Sequence, residues 1–430
     1  MTFRLLQHPR SHTTRRRAGG LVIATVLALL VGCTSTPDPA VTGPTSGSGP
    51  TAGTGTPGTS GSSDSSASTT TETDAQPAPT SFVTAEGTQF MVDGKPFRFV
   101  GANVYDAAAT DFYSCDSAAR MTDQELRDTF RTLRDQYGAS VIRFWAYQTY
   151  TKSGEDWSGI DAVISAARDT GLRVLPVLED GPGYCTTKSG VTPKSEYQDD
   201  TWFVDGYRAN YGSAPRSFRD YAKIVVEHYR NEPVIFGWSL INEADTSARD
   251  SAGRSVLVDF AEDMAPLIKS ADPNHLLTLG TQSNGARGAS GPDFAAVYGV
   301  DGMDFSEVHD WGYWGDDAQA MFGGTDGVPP AATAPECQTP DAPIACSFAQ
   351  IQSIGKPLLV GEAGIAGGDE DQLQTRADQL GAKMRAAFDA GAGGYLLWRV
   401  TKQNTDQYDI VLGDDDPVLD EMARVAGTLD

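Results

Sequence analysis

The sequence predicts an α/β fold, a (β/α)₈ TIM barrel built as a single domain. Eight short apolar runs recur between residues 97 and 400, and most lack the alternation of a half-exposed strand, as expected when both faces are covered. Amphipathic stretches with helix start and stop signals separate them. Polar and aromatic residues fall at the ends of the runs, where a barrel of this kind collects its functional groups.

The strand candidates are residues 97–104, 140–146, 173–178, 234–241, 276–280, 303–308, 357–360 and 394–400. The first helix begins at Thr122-Asp-Gln-Glu125, a capping box, and stops at Gly138. Further helices are expected over 159–170 before Gly171, 217–230 before Pro233, 253–270 before Pro273 and 371–390 before Gly391. An open doubly wound sheet is the alternative. It loses support because no Gly-x-Gly-x-x-Gly turn follows the first strand. No internal repeat is evident beyond the alternation itself.

The fold occupies only part of the 430 residues. Residues 1–20 carry Arg4, Arg10, Arg15, Arg16 and Arg17 and no acid. A mostly apolar run over 21–31 follows, too short to span a bilayer, which needs about 20 residues. A basic region, a short apolar core and small residues make a secretory signal. Its ending, Leu30-Val-Gly-Cys33, resembles the lipobox of bacterial lipoproteins, in which the cysteine is acylated and becomes the first mature residue. An ordinary signal peptide is the plainer alternative. Residues 1–32 are therefore read as a lipoprotein signal peptide and 33–80 as a flexible tether rich in Ser, Thr, Gly and Pro, unable to bury a core. Residues 81–430 are the barrel. The expected location is extracytoplasmic, lipid-anchored to a bacterial cell membrane and exposed outside it, or secreted after release.

Without the leader's five arginines the formal charge moves from −24 to −29. Such acidity argues against nucleic acid and against membrane contact other than through Cys33. A monomer is expected. With Cys33 assigned to lipid, Cys115, Cys185, Cys337 and Cys346 remain in an oxidising compartment. Of three possible pairings, Cys337–Cys346 as a local staple and Cys115–Cys185 as a tie between loops are favoured over the others and over free thiols.

Read in order, the strand ends present Asn103, Arg143, Glu179, Asn242-Glu243, His309, Glu362 and Trp398. A carboxylate at the end of a buried strand is costly unless something pairs with it or uses it. Two of them at one end of one sheet suit acid/base cleavage of a glycosidic bond. Glu243 is the candidate proton donor. Glu362 is the candidate nucleophile, with Arg143 as the cation that keeps it ionised. Asn242 suits a sugar hydroxyl, as does His309. Flat aromatic rings suit the apolar faces of sugars, which makes Trp145, Trp202, Trp311, Trp314 and Trp398 candidates, with one or two of them expected in the core. No cofactor or metal is expected, because neither His-Glu-x-x-His nor paired Cys-x-x-Cys occurs. Asp414-Asp-Asp416 and Asp369-Glu-Asp371 read as solvated loops. Gly-x-Ser-x-Gly is also absent.

These motifs resemble glycoside hydrolase family 5 of clan A. Residues 231–243, ending Phe236-Gly-Trp-Ser-Leu-Ile-Asn-Glu243, look like its acid/base strand, and Lys356-Pro-Leu-Leu-Val-Gly-Glu362 like its nucleophile strand. Val141-Ile-Arg-Phe-Trp145 matches its arginine strand and Phe99-Val-Gly-Ala-Asn103 its first strand. The resemblance implies a retaining mechanism in which Glu243 is acid and then base, Glu362 is nucleophile, and Trp398 stacks under the sugar at the cleaved bond. Asn103, Arg143, Trp145, Asn242, His309, Trp311 and Tyr313 would bind or orient. Two departures stand out. Many members carry a histidine at the third strand end, where this chain has Leu178-Glu-Asp180. Many carry His-x-Tyr at the sixth, where it has His309-Asp-Trp311, so either Tyr313 supplies the contact to the nucleophile or it is missing. The look is closest to the β-mannanase branch, which implies a β-linked polysaccharide or oligosaccharide as partner. An endo-β-1,4-glucanase is the alternative. A non-catalytic polysaccharide-binding lipoprotein and a transglycosylase stay open.

Overall fold

The computed structural model describes residues 77–429 apart from 118, 182, 184, 186–199, 211–213, 282–285, 313–329, 341 and 368–371. The leader, Cys33, nearly all of the tether, Tyr313 and Trp314 lie outside the described residues.

The described chain opens with a three-stranded antiparallel ribbon, β1 (Thr84–Glu86), β2 (Gln89–Val92) and β3 (Lys95–Pro96). The strand pattern did not anticipate it, although Asp93-Gly94 is a hairpin signal: both residues have positive φ, 52° and 71°. Eight parallel strands follow. They are β4 (Phe99–Asn103), β5 (Ala139–Trp145), β6 (Arg173–Val177), β7 (Gly237–Ser239), β8 (Leu276–Thr278), β9 (Ser306–Gly312), β10 (Leu358–Ile365) and β11 (Gly394–Leu397). All eight predicted strands are present, in the ladder order β8-β7-β6-β5-β4-β11-β10-β9. Between β8 and β9 the circle is completed by the Asp304 and Phe305 amides, which donate to Leu277 O at 2.8 and 3.4 Å. The closed parallel sheet is the predicted barrel.

Helices α1 (Asp123–Tyr137), α2 (Ser158–Thr170), α3 (Asp200–Val204), α4 (Phe218–Tyr229), α5 (Val256–Ala271), α6 (Pro292–Tyr298), α7 (Ile344–Ile354), α8 (Leu373–Asp389) and α9 (Pro417–Ala426) accompany the strands. The capping box is real. Thr122 Oγ1 accepts from the Glu125 amide at 3.2 Å, and Glu125 returns the bond to the Thr122 amide at 2.7 Å. Helices α3, α6, α7 and α9 were not anticipated. Pro292 and Pro417 at their first turns mark two of them.

The floor of the barrel is one apolar layer. Phe99, Val141, Leu175, Phe236, Leu276, Phe305, Leu359 and Leu396 come from or just before the eight barrel strands in turn, and Phe90 of the ribbon joins them. Phe90 packs edge-on to Phe236 and Phe305 at 5.0 and 5.5 Å between ring centres. The ribbon thereby plugs the N-terminal end of the barrel. Side chains alternate along a strand, so the residues two further on, Gly101, Arg143, Glu307 and Gly361, also face the axis, one layer nearer the mouth.

Both favoured disulfides are present. Cys115–Cys185 (Cα–Cα 5.0 Å) ties the loop after β4 to the loop after β6, and Cys337–Cys346 (5.3 Å) staples the segment entering α7. Breaking the longer tie, by Cys115→Ser with Cys185→Ser, is expected to cost about 2–4 kcal/mol by freeing a large loop in the unfolded chain. Differential scanning calorimetry of residues 77–430 with and without the pair reads that loss as a lower Tm, and an unchanged Tm would mean the tie carries no stability.

Candidate active site

Strict alternation along β10 would turn Leu359 and Gly361 inward and Glu362 outward. The ladder is broken at this point. Val360 pairs with Val308 and Glu362 with His309, so β10 carries one extra residue there. A bulge of this kind re-aims a side chain, and both Gly361 and Glu362 face the axis. Only glycine fits at 361, since a Cβ there would lie 2.1 Å from Glu307 Oε1. Glu243 is turned by other means. It sits at φ 55°, a left-handed conformation costly for a side chain of its size. Bonds on either side hold it, from the Asn242 amide to Glu179 O at 2.7 Å and from the Ala244 amide to Gly280 O at 3.0 Å.

Arg143 is wholly buried at the centre. Its Nη1 donates to Glu362 Oε1 at 2.6 Å and to Asn103 Oδ1 at 3.1 Å, and its Nη2 donates to Asn242 Oδ1 at 2.9 Å. Its Nε lies 3.1 Å from Glu307 Oε1, an ion pair without the alignment of a hydrogen bond. Its guanidinium also lies over the Trp145 ring at 4.8 Å. Asn103 completes the frame by donating to Gly361 O at 2.9 Å and Leu397 O at 3.3 Å. One cation thus joins β4, β5, β9, β10 and the segment after β7.

His309 stands between the two carboxylates. Its Nδ1 is 3.0 Å from Glu243 Oε1 and 3.3 Å from Glu362 Oε2. Atoms of Glu243, His309 and Glu362 all lie within 4.8 Å of one another, so the carboxyl pair is close. Burial pushes the His309 ring toward its neutral form, but Glu362, Glu243 and Glu307 outweigh it and hold the ring at about 9. Burial pushes the Glu362 carboxyl up to about 7, with His309 and Arg143 opposing and Glu243 adding to the rise. The short bond from Arg143 favours the anion on Glu362. The trio also has donor types that suit a divalent cation, but the guanidinium bound to Glu362 opposes one there.

The aromatic residues divide by depth. Trp398 and Trp311 are half-buried, with rings 5.8 Å apart and inclined by 67°. Tyr105 and Trp145 back Trp398 at 5.6 and 5.7 Å. Trp145 is a correction to the direct sugar contact considered for it. It is 3 % exposed and stacks on Tyr147, so it supports Arg143 and Trp398 from below. Trp202 is likewise core, packed against Phe203 and Phe260. Asn103 is fully buried and orients other groups.

The structure brings together Asn103, Arg143, Asn242, Glu243, His309 and Glu362, with Trp311 and Trp398 at the rim. His309 reaches the nucleophile candidate, and Tyr313, considered for the same contact, lies outside the described residues. Sequence reading missed Glu307, which strand alternation with His309 signals. It also missed Asp106, a buried carboxyl after β4 that burial pushes up to about 6 although Ser114 and Tyr150 donate to it.

With this geometry in view, the class is a closed (β/α)₈ barrel bearing two carboxylates and an arginine at its C-terminal mouth. Residues 210–382 match the family model described as GH family 5 beta-mannosidase-like. The chain is 26 % identical over 288 residues to a probable mannan endo-1,4-beta-mannosidase C of Aspergillus terreus, covering 55 % of this chain and 66 % of that protein. It is 29 % identical over 261 residues to mannan endo-1,4-beta-mannosidase A of Hypocrea jecorina, covering 54 % and 56 %. The chain therefore spans less than two-thirds of the length of these relatives. The endo-1,4-beta-mannanase structure of Rhizomucor miehei shares the fold, with TM-score 0.57, 20 % identity, 81 % of this chain and 100 % of that one. The barrel is thus a domain like those of the family 5 mannosidases.

The Glu362 carboxyl rises from its ordinary value of 4.5 to about 7 on folding. Its protonated form is therefore favoured in the fold, so this contribution to stability is full below pH 4.5 and is lost as pH rises through about 7. Glu362→Gln removes that loss. The Tm of the variant relative to wild type is expected to be higher at pH 8 than at pH 5. A Tm difference that does not change with pH would contradict the raised, buried carboxyl.

Proposed function

We propose that the barrel is a retaining glycoside hydrolase that cuts β-1,4-linked mannan. The observation that carries this is that an oxygen of Glu243 and an oxygen of Glu362 lie within 4.8 Å of each other, which fits the close carboxyl pair of retaining enzymes, roughly 5–5.5 Å, better than the roughly 6.5–9.5 Å that leaves room for an inverting water. Arg143 binds only one of the two carboxylates, which gives them different roles.

Glu243 gives its proton to the glycosidic oxygen as the bond from that oxygen to the anomeric carbon breaks. A Glu362 oxygen forms the new bond to that carbon, and the leaving chain departs with a free hydroxyl. Glu243, now a carboxylate, takes a proton from water. The water oxygen attacks the anomeric carbon, the ester to Glu362 breaks, and the configuration is retained. Asn242 Oδ1 is taken by Arg143, which leaves its amide NH₂ to donate to a sugar hydroxyl. Trp398 and Trp311 offer ring faces to the sugar. The mannan preference is supported by the relatives, which are named as mannan endo-1,4-beta-mannosidases.

Residues 81–430 are expected to release reducing ends from mannan faster than from glucomannan or soluble cellulose. Glu362→Ala abolishes release, and Glu243→Gln lowers it by ~10²–10⁴. Binding without release from any of these polymers would sink the reading.

We further propose that the chain is exported and lipid-anchored through Cys33. The support is the arginine-rich start, the short apolar run and the small residues before the cysteine. Expression of the full chain in a bacterium with labelled palmitate should give a labelled band that Cys33→Ala loses, and equal labelling of the variant would refute the anchor.

A further inference from the structure

Glu307 has no part in the bond-breaking steps, yet it is fully buried beneath them. A carboxylate sealed inside a barrel is costly unless paired on several sides. Its Oε1 lies 3.1 Å from Arg143 Nε and 3.6 Å from His309 Nε2, and its Oε2 accepts from Ser239 Oγ at 2.9 Å. The missing Cβ of Gly361 is the space it fills. Glu307 and His309 share the inward face of β9, so one strand carries both the anion and the ring it faces. We infer that Glu307 is a positioning residue, a fixed anion under the catalytic pair that holds Arg143 and His309 and sets the charge they present to Glu243 and Glu362. This deepens the glycosidase reading and rests on it only for the kinetic test.

The site holds two cations, Arg143 and the His309 imidazolium. Glu362 alone cannot balance both while also acting as nucleophile. Glu307 takes up the second charge at a point where it cannot reach substrate. Burial pushes its carboxyl up, but Arg143 and then His309 bring it below its ordinary value, which makes it the lasting anion of the group. The other titratable groups facing the pair are Glu243 after β7, Glu362 on β10, Tyr147 after β5, and Tyr298 on α6, whose hydroxyl donates to Glu307 O at 3.1 Å. Glu243 and Glu362 change charge during catalysis. The two phenols are held neutral, Tyr298 at a value beyond the working range. Glu307 is therefore the constant term.

Glu307→Gln keeps the volume and removes the charge. Taking away an anion lowers the pKa of every neighbour, so both limbs of the pH–rate profile on mannan are expected to move down by about one pH unit. kcat should fall about tenfold or more, with KM within about twofold. Glu307→Asp, which keeps the charge, should restore much of the profile's position. A second reading needs no substrate. Nitrogen-15 NMR of the His309 ring should show it losing its proton about one pH unit lower in Glu307→Gln than in wild type. A folded variant with unchanged limbs and an unchanged ring titration overturns the inference. A shifted titration in a protein that cleaves no mannan upholds it while refuting the proposed activity. Should Glu307→Gln fail to fold, Ser239→Ala removes the donor that favours the anion. The anion stays and only a competing donor is lost, so the His309 ring should keep its proton to a slightly higher pH, and no shift overturns the role.

Discussion

The mouth of the barrel depends on one buried guanidinium. Arg143 meets Glu362, Asn103 and Asn242 through hydrogen bonds and Glu307 through charge, and it lies against the Trp145 ring. An arginine without water at this depth is tolerable only if its charge and its donors are satisfied. That requirement selects its neighbours. It calls for two acids, two amide oxygens and an aromatic face, each delivered by a different stretch of the chain. Removing either acid leaves the buried charge less balanced, and removing Asn242 leaves Nη2 without its amide acceptor. The frame of the candidate site and the packing of the barrel's mouth are therefore the same set of contacts.

Much of this was legible before the structure. All eight strands appear, because continuous apolar runs between helical stretches have few other readings. The strand-end residues Asn103, Arg143, Asn242, Glu243, His309 and Glu362 do converge, because parallel strands of one barrel all exit at one face. The cysteine pairing also held.

What escaped was phase and depth. A bulge adds one residue without a mark in the apolar pattern, so the inward turn of Glu362 looked like simple strand-end placement. Glu307 escaped because an acid two residues before a histidine reads as motif context until alternation is followed into the barrel. Trp145 and Trp398 are both tryptophans at strand ends, and only packing separates the buried one from the half-exposed one. The ribbon was passed over because β1, β2 and β3 have only three, four and two residues, too short for a pattern.

That ribbon gives the domain a direction. Phe90 closes the barrel from below, and the chain enters through the same segment. The ribbon therefore seals the base of the barrel, opposite the rim where Arg143 and its partners stand, so the floor and the site are built from opposite ends of the same eight strands.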